Sequence, residues 1–436
     1  MESNTIKYDV IKDVLRDAGS GMLEISGCDQ TNFSVSAFRG KIADYSRSRT
    51  GGAAVRAVLG SGVRQKLGSA YSEKLDKQTL LEIMAQAKRN AEYMDPDAGN
   101  GICEEAGELH QDIGLFSGWP DEAQAKDFAL ELDSLCETLD KRVINVSHAG
   151  YYYTRTETFV ATSLGRLFSA SSREGSLHAG VYVSDGNETE YGECYEVFRD
   201  PSSLDVGHIA RTAVERGTCK LGAKEPKSGE YTCVLDSIPA SMLVGSFLDI
   251  VSAESMQKGR SKLAGKLGTR IGSEEFTIID DPKAPGYGKE AFDSEGVLAP
   301  AITIFDKGFF REALYNVYAA RREGRLSNGR GFREDLKSRP MARTINAYIP
   351  DGTQSLEALF AEAGNGIYLT ELEGVHVGLD LVSGDFSCSA KGFEIVSGKL
   401  GGSLRNFTIA GNFYELARNL VARSNDRCTF LDERFT

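Results

Sequence analysis

Apolar and polar positions alternate through much of the first ninety residues, and a period of two predicts β-strands. The alternating segments are MLEIS, TNFSVSAFRG, KIADYSRSRT, GGAAVRAVLG and SGVRQKLGSA. Gly40, Gly51, Gly52, Gly60 and Gly62 punctuate them, which predicts an antiparallel meander. Helical spacing appears on either side, from about Ile6 to Ala18 and in DKQTLLEIMAQAKRNAEYM, where Asp76 is the natural cap. A sheet with helices on one face follows.

Beyond this the acidic stretch from Pro96 to Trp119 reads as loop, and Asp121 to about Asp140 reads as helix. Three strands come next, RVINVSHAGYYYTRTETFVATS, GRLFSASSREGSLHAGVYVSD and TEYGECYEVFRD, then a helix from about Ser203 to Cys219. KLGAKEPKSGEY has the composition of a linker. The second half is dominated by Gly-punctuated strands, with DKG closing a hairpin and NFYELARNLVARS a late helix. The run GVHVGLDLVSGDF reads as Gly-interrupted strands that either offer a free sheet edge to an extended peptide or are fully paired inside the domain. The predicted class is α+β: an N-terminal α/β sheet-and-helix domain over 1–222, then a mostly antiparallel, barrel- or sandwich-like C-terminal domain with helices over 223–436.

One segment of the second domain stands out. SIPASMLVGSFLDIVSAESM carries Leu243, Val244, Phe247, Leu248 and Val251 at helical spacing, behind Asp236, Ser237 and Pro239 as start signals. The pattern predicts one helix from about Pro239 to Met256, with an apolar stripe facing the core.

Composition narrows the function. The chain is 41% hydrophobic and 26% charged, ordinary for a soluble globular protein, and carries a net charge of −13. That charge weighs against a nucleic-acid partner, which needs a concentrated basic surface. No run is long and apolar enough to span a bilayer, and the N-terminus lacks the layout of a signal peptide, so a cytoplasmic location without membrane attachment is expected. Eight scattered cysteines with no C-x-x-C pair read as free thiols.

Catalytic motifs are absent. The five histidines, His110, His148, His178, His208 and His376, show no ligand spacing, and neither H-E-x-x-H nor G-x-S-x-G occurs. FDSEG sets Asp293 and Glu295 two apart in a Gly-flanked turn, where carboxylates usually bind local amides. Cys388 with His376 is a conceivable thiol–imidazole pair that nothing local supports.

Several longer stretches do carry a resemblance. GYGKEAFDSEGV, LYNVYAARREG, NAYIPDGTQSLEALFAEAGNGIYLTELEG, VSGDFSCSAKGFEIVSGKL and RNFTIAGNFYELARNLVARSND together resemble the TldD/PmbA family, whose PmbA branch is also called TldE. The likeness runs from SRSRTGGAAVRAVLG to the C-terminus. It implies a two-domain cytoplasmic protein of a family historically labelled modulators of DNA gyrase and credited with hydrolysis of unfolded peptides. In that family a TldD subunit holds zinc on an H-E-x-x-x-H helix with a later Cys, and a TldE subunit pairs with it without metal.

Carried over residue by residue, Val244 falls at the first His, Gly245 at the Glu and Asp249 at the second His. These three lack the ligand set and the water-activating base. Two imidazoles five apart on an ideal helix differ by about 140°, so such a motif needs a local widening that this sequence has no cause to adopt. Cys428 is no convincing third ligand. The resemblance thus implies no catalytic residue and no metal in this chain, zinc only in a TldD-like partner, and a heteromer with that partner or a homodimer. Two other readings stand beside it: a non-enzymatic interaction protein acting on gyrase or toxin pathways, and a solitary hydrolase using Cys388 or a dispersed site.

Overall fold

The computed structural model describes residues 8–16, 21–113, 120–198, 200–284 and 290–425. The first half opens with helix α1 (Tyr8–Arg16) and strands β1 (Met22–Phe38), β2 (Lys41–Leu59) and β3 (Lys66–Ser72). Helix α2 (Lys77–Glu92), strand β4 (Gly107–Asp112) and helix α3 (Glu122–Leu139) follow. Strands β5 (Val143–Thr162), β6 (Arg166–Ser184) and β7 (Thr189–Phe198) and helix α4 (Val206–Thr218) complete it. The sheet runs β3-β2-β1-β5-β6-β4, and β7 also pairs with β6. All pairs are antiparallel except β4 with β6.

Two apolar clusters lie on one face of this sheet, toward opposite ends of its long strands. Leu23, Ile25 and Val55 pack with Leu80 and Met84 of α2, while Phe33, Tyr151 and Tyr153 pack with Leu132 of α3 and Ile209 of α4. Odd-numbered residues of β1 supply both clusters, as do those of β5 from Ala149 onward, while Val146 joins them across a register shift.

Two sequence expectations change here. The five short segments of the meander are three strands, because Gly51 and Gly52 lie inside β2 instead of in a turn and β1 runs unbroken through Gly27. A Cβ on Gly27 would come within 2.2 Å of the Phe159 ring, so this glycine serves close strand packing. The acidic loop also contains β4, whose six residues pair in parallel with β6. A strand that short and polar carries no apolar alternation to reveal it.

The second half begins with β8 (Thr232–Leu235) and α5 (Ser237–Phe247), then α6 (Ala253–Gln257), β9 (Ile278–Asp280), β10 (Ile302–Asp306) and β11 (Phe309–Phe310). Helix α7 (Val317–Arg322) and the short strands β12 (Gly331–Phe332), β13 (Met341–Ala342) and β14 (Ala347–Tyr348) follow. Last come α8 (Leu356–Ala363), β15 (Gly366–Glu373), β16 (Asp385–Val396), β17 (Lys399–Asn412) and α9 (Phe413–Asn419). The sheets are β17-β16-β15-β8, β11-β10-β9-β14 and β12-β13. Among the described residues none closes into a barrel. Phe247 of α5 and Phe413 of α9 stack at 4.3 Å within the apolar core that these sheets share.

The stretch 374–384 is a succession of turns with one isolated bridge, Leu379 to Phe386, so it offers no strand edge. Its Gly and Asp residues satisfy one another locally: Asp380 accepts from the amides of Val382 and Ser383. GYGK of GYGKEAFDSEGV and Cys428 lie outside the described residues, as do the ends of the first expected helix.

Candidate functional site

Helix α5 begins where expected. Asp236 caps it, accepting from the Ile238 amide at 3.5 Å and also from the Ser237 hydroxyl at 3.0 Å, and the Tyr368 hydroxyl of β15 holds its second oxygen. Leu243, Val244, Phe247, Leu248 and Val251 are all buried, as the stripe predicts. The single helix to Met256 is interrupted, however. A 3₁₀ turn spans Leu248–Val251, and Ser252 is extended at φ −66°, ψ 125°. The cause is competition for backbone partners: Leu314 donates to the Val251 carbonyl and accepts from the Ala253 amide, both at 2.9 Å. Those two bonds draw the chain out of the helical ladder.

Val244 points into the core at 4% exposure, Gly245 sits half-buried beside it, and Asp249 lies on the exposed side of the 3₁₀ turn. Val244 and Gly245 have no side-chain donor atom, so the positions that the resemblance matches to the family's first His and Glu do not fit a zinc ion. Among the described residues no three of His, Cys, Asp and Glu are grouped to hold a metal.

The FDSEG carboxylates are buried at the junction of the two halves. Asp293 accepts backbone N–H bonds from Glu295 and Val297 at 2.9 Å and from Gly331 at 2.7 Å. Glu295 accepts from the Val317 amide at 2.7 Å and from Arg56 Nη1 at 2.9 Å. Arg56 in turn grips Glu24, which also accepts from Arg333 at 3.2 Å. Burial and the neighbouring Glu295 push Asp293 up to about 8, against the pull of its three N–H donors. Burial likewise raises Glu295, while burial and then repulsion from Arg56 lower Arg333. Both FDSEG carboxyls are only 1% exposed, so the cluster is a structural clamp closed to substrate.

The other candidates separate. Cys388 is buried in β16, and burial alone raises its thiol, with no imidazole acting on it. His376 sits in a turn and His208 in α4. His110 shares a 2.6 Å hydrogen bond with Ser169. Sequence reading missed one pairing: strand register brings His148 and His178 to 4.6 Å between ring centroids. His178 Nε2 lies 3.4 Å from Glu193, and the Tyr152 hydroxyl is 2.7 Å from His148 Nε2. Burial, then His178, lowers His148. Thirty residues separate the two imidazoles in sequence, and only the β5–β6 register joins them.

Comparison with known proteins agrees with the fold. Family models match three segments: PmbA/TldA metallopeptidase domain 1 over 23–91, the central domain over 120–221 and the C-terminal domain over 228–433. Metalloprotease PmbA of Escherichia coli O157:H7 is 26% identical over 416 residues, 92% of this chain and 87% of that protein. A metalloprotease of Methanothermobacter thermautotrophicus is 28% identical over 270 residues, 61% of this chain and 59% of its own length. A crystal structure from Thermotoga maritima, of a protein described as a candidate modulator of a DNA gyrase, superposes with a TM-score of 0.85 at 26% identity, covering 96% of this chain and 95% of that one. TldE from Thermococcus kodakarensis shares the fold with a TM-score of 0.83 at 22% identity, over 97% and 96% of the two chains. The matched segments and the shared fold give one conclusion: this chain belongs to the PmbA/TldD metallopeptidase family.

Proposed function

We propose that this chain is a TldE-like, metal-free subunit of a TldD/TldE-type peptidase that degrades unfolded peptides. The observation that supports the reading is at α5: Val244 is buried and Gly245 has no side chain, and these are the positions that the resemblance matches to the family's first His and Glu, so neither supplies a ligand or a base for water there. The helix is packed, with Phe247 stacked on Phe413, so it keeps its structural role without the chemistry. A TldD-like partner, or else a second copy of this chain, completes the cleft, and zinc enters only with the TldD-like subunit. Likeness to TldE from Thermococcus kodakarensis supports the fold side of this reading.

Turnover of an unstructured, fluorogenic peptide tests it. Alone, the protein should be inert; mixed with a zinc-loaded TldD-like chain, it should form a heteromer whose hydrolysis stops on chelation. Hydrolysis by this chain alone at the rate of the mixture would sink the proposal.

A further inference from the structure

We propose that a cavity of about 340 Å³ between the segment following α6 and the start of α9 is a carboxylate-binding pocket. Its occupant is the C-terminal residue of an extended peptide. Lys262, Lys266, Arg270 and Arg418 line it, against the single carboxylate of Glu415. In a chain of net charge −13, four cations facing one carboxylate across a concavity is a local reversal of sign. Such a focus attracts anions.

Two of the cations are already engaged. Lys262 donates to the Ser383 carbonyl at 2.7 Å and sits 5.5 Å above the Tyr414 ring. Arg270 lies 3.5 Å from Glu274 and 5.6 Å from the Phe309 ring centroid. Lys266 and Arg418 form no side-chain hydrogen bond or ion pair among the described residues. They are the charges left for a ligand. Tyr414, 8% exposed, closes the floor of the pocket with its ring, and its hydroxyl is buried away from the opening.

The wall also has an apolar part, Leu263 and Ile271 with the Tyr414 ring. A bare phosphate gains nothing from such a wall, whereas a carboxylate carrying a side chain uses both parts. The volume is at the small end of ligand pockets, roughly 300–1,000 Å³, and suits a terminal residue better than a folded partner. Phe413, next to Tyr414, stacks on Phe247 of α5, so the pocket lies one side-chain layer behind the family's helix.

Binding to this chain alone is the test, so the result is independent of any partner or hydrolysis. An N-acetyl dipeptide acid, its C-terminal amide and inorganic phosphate are titrated calorimetrically into the full chain. The acid should bind about tenfold more tightly than the amide, a difference of about 1.4 kcal/mol, and weaken with added salt. The Lys266→Ser, Arg418→Ser double variant should lose that preference. Equal binding of acid and amide, no binding of the acid at millimolar concentration, or phosphate binding as tightly as the acid would each overturn the assignment. Should the double variant fail to fold, the acid–amide comparison on the parent protein decides.

Discussion

Asp293 is a buried carboxyl that receives three backbone N–H bonds yet is pushed up to about 8 by burial and by Glu295. A carboxyl whose folded pKa exceeds its unfolded value keeps its proton longer in the folded state. Between about pH 4 and pH 8 the folded protein therefore binds the extra proton, and this group's contribution to stability falls as pH rises. Asp293→Asn removes the titration, so its disadvantage relative to the parent should shrink by about 1.4 kcal/mol per pH unit across that window. Urea unfolding of both proteins at pH 5, 6, 7 and 8 measures this. Parallel stability profiles would show that the three N–H donors keep the group ionised. Sequence showed the two carboxylates and their local amides, because a Gly-flanked turn makes those bonds itself. It could not show Arg56, which meets Glu295 across 239 positions. Val244 and Asp249 were separable from sequence alone: an apolar residue on the stripe and a polar one off it.

Elements were legible where their amphipathic period ran long. The three strands after Arg142 appear nearly as read, and Asp76 and Asp121 cap α2 and α3 through amide bonds at 3.0 and 2.9 Å. Elements decided by tertiary hydrogen bonds were not legible. The break at Ser252 depends on Leu314, and β4 depends on the exposed edge of β6. Helix docking adds a third case. A Cβ on Gly192 of β7 would stand 2.2 Å from the Ala213 carbonyl and 2.3 Å from the Gly217 amide of α4, so backbone meets backbone there. Gly192→Ala should therefore destabilise the protein by about 1–3 kcal/mol, read from the shift of the denaturant midpoint. A midpoint unchanged in Gly192→Ala would mean that α4 can lift from the sheet at no cost.

At the scale of the whole molecule, the two halves meet through charge as well as apolar contact. Arg56 and Glu24 belong to the first half, Glu295 and Arg333 to the second, and all four side chains are at most 7% exposed. Phe168 and Phe292 pack beside them at 5.3 Å, and Tyr318 reaches Asp97 at 2.9 Å. A buried ion network adds little over an apolar interface, but removing one member leaves its partners charged and unpaired, at a cost of about 3–5 kcal/mol. The connection between the halves, around Lys227, is exposed and free of regular structure. We take the boundary to lie at 222/223, and cutting the chain just after it separates covalent from non-covalent linkage. Nicked at Lys227, the parent should still elute as one species, since the clamp and its apolar surroundings hold without the connection. Nicked Arg56→Met should fall into two fragments, because Glu24 and Glu295 would then face each other with only Arg333 between them. Gel filtration of both nicked proteins gives the answer. If the nicked parent separates as readily as the variant, the clamp contributes nothing to the union of the halves, and the connecting chain alone keeps α5 beside the N-terminal sheet.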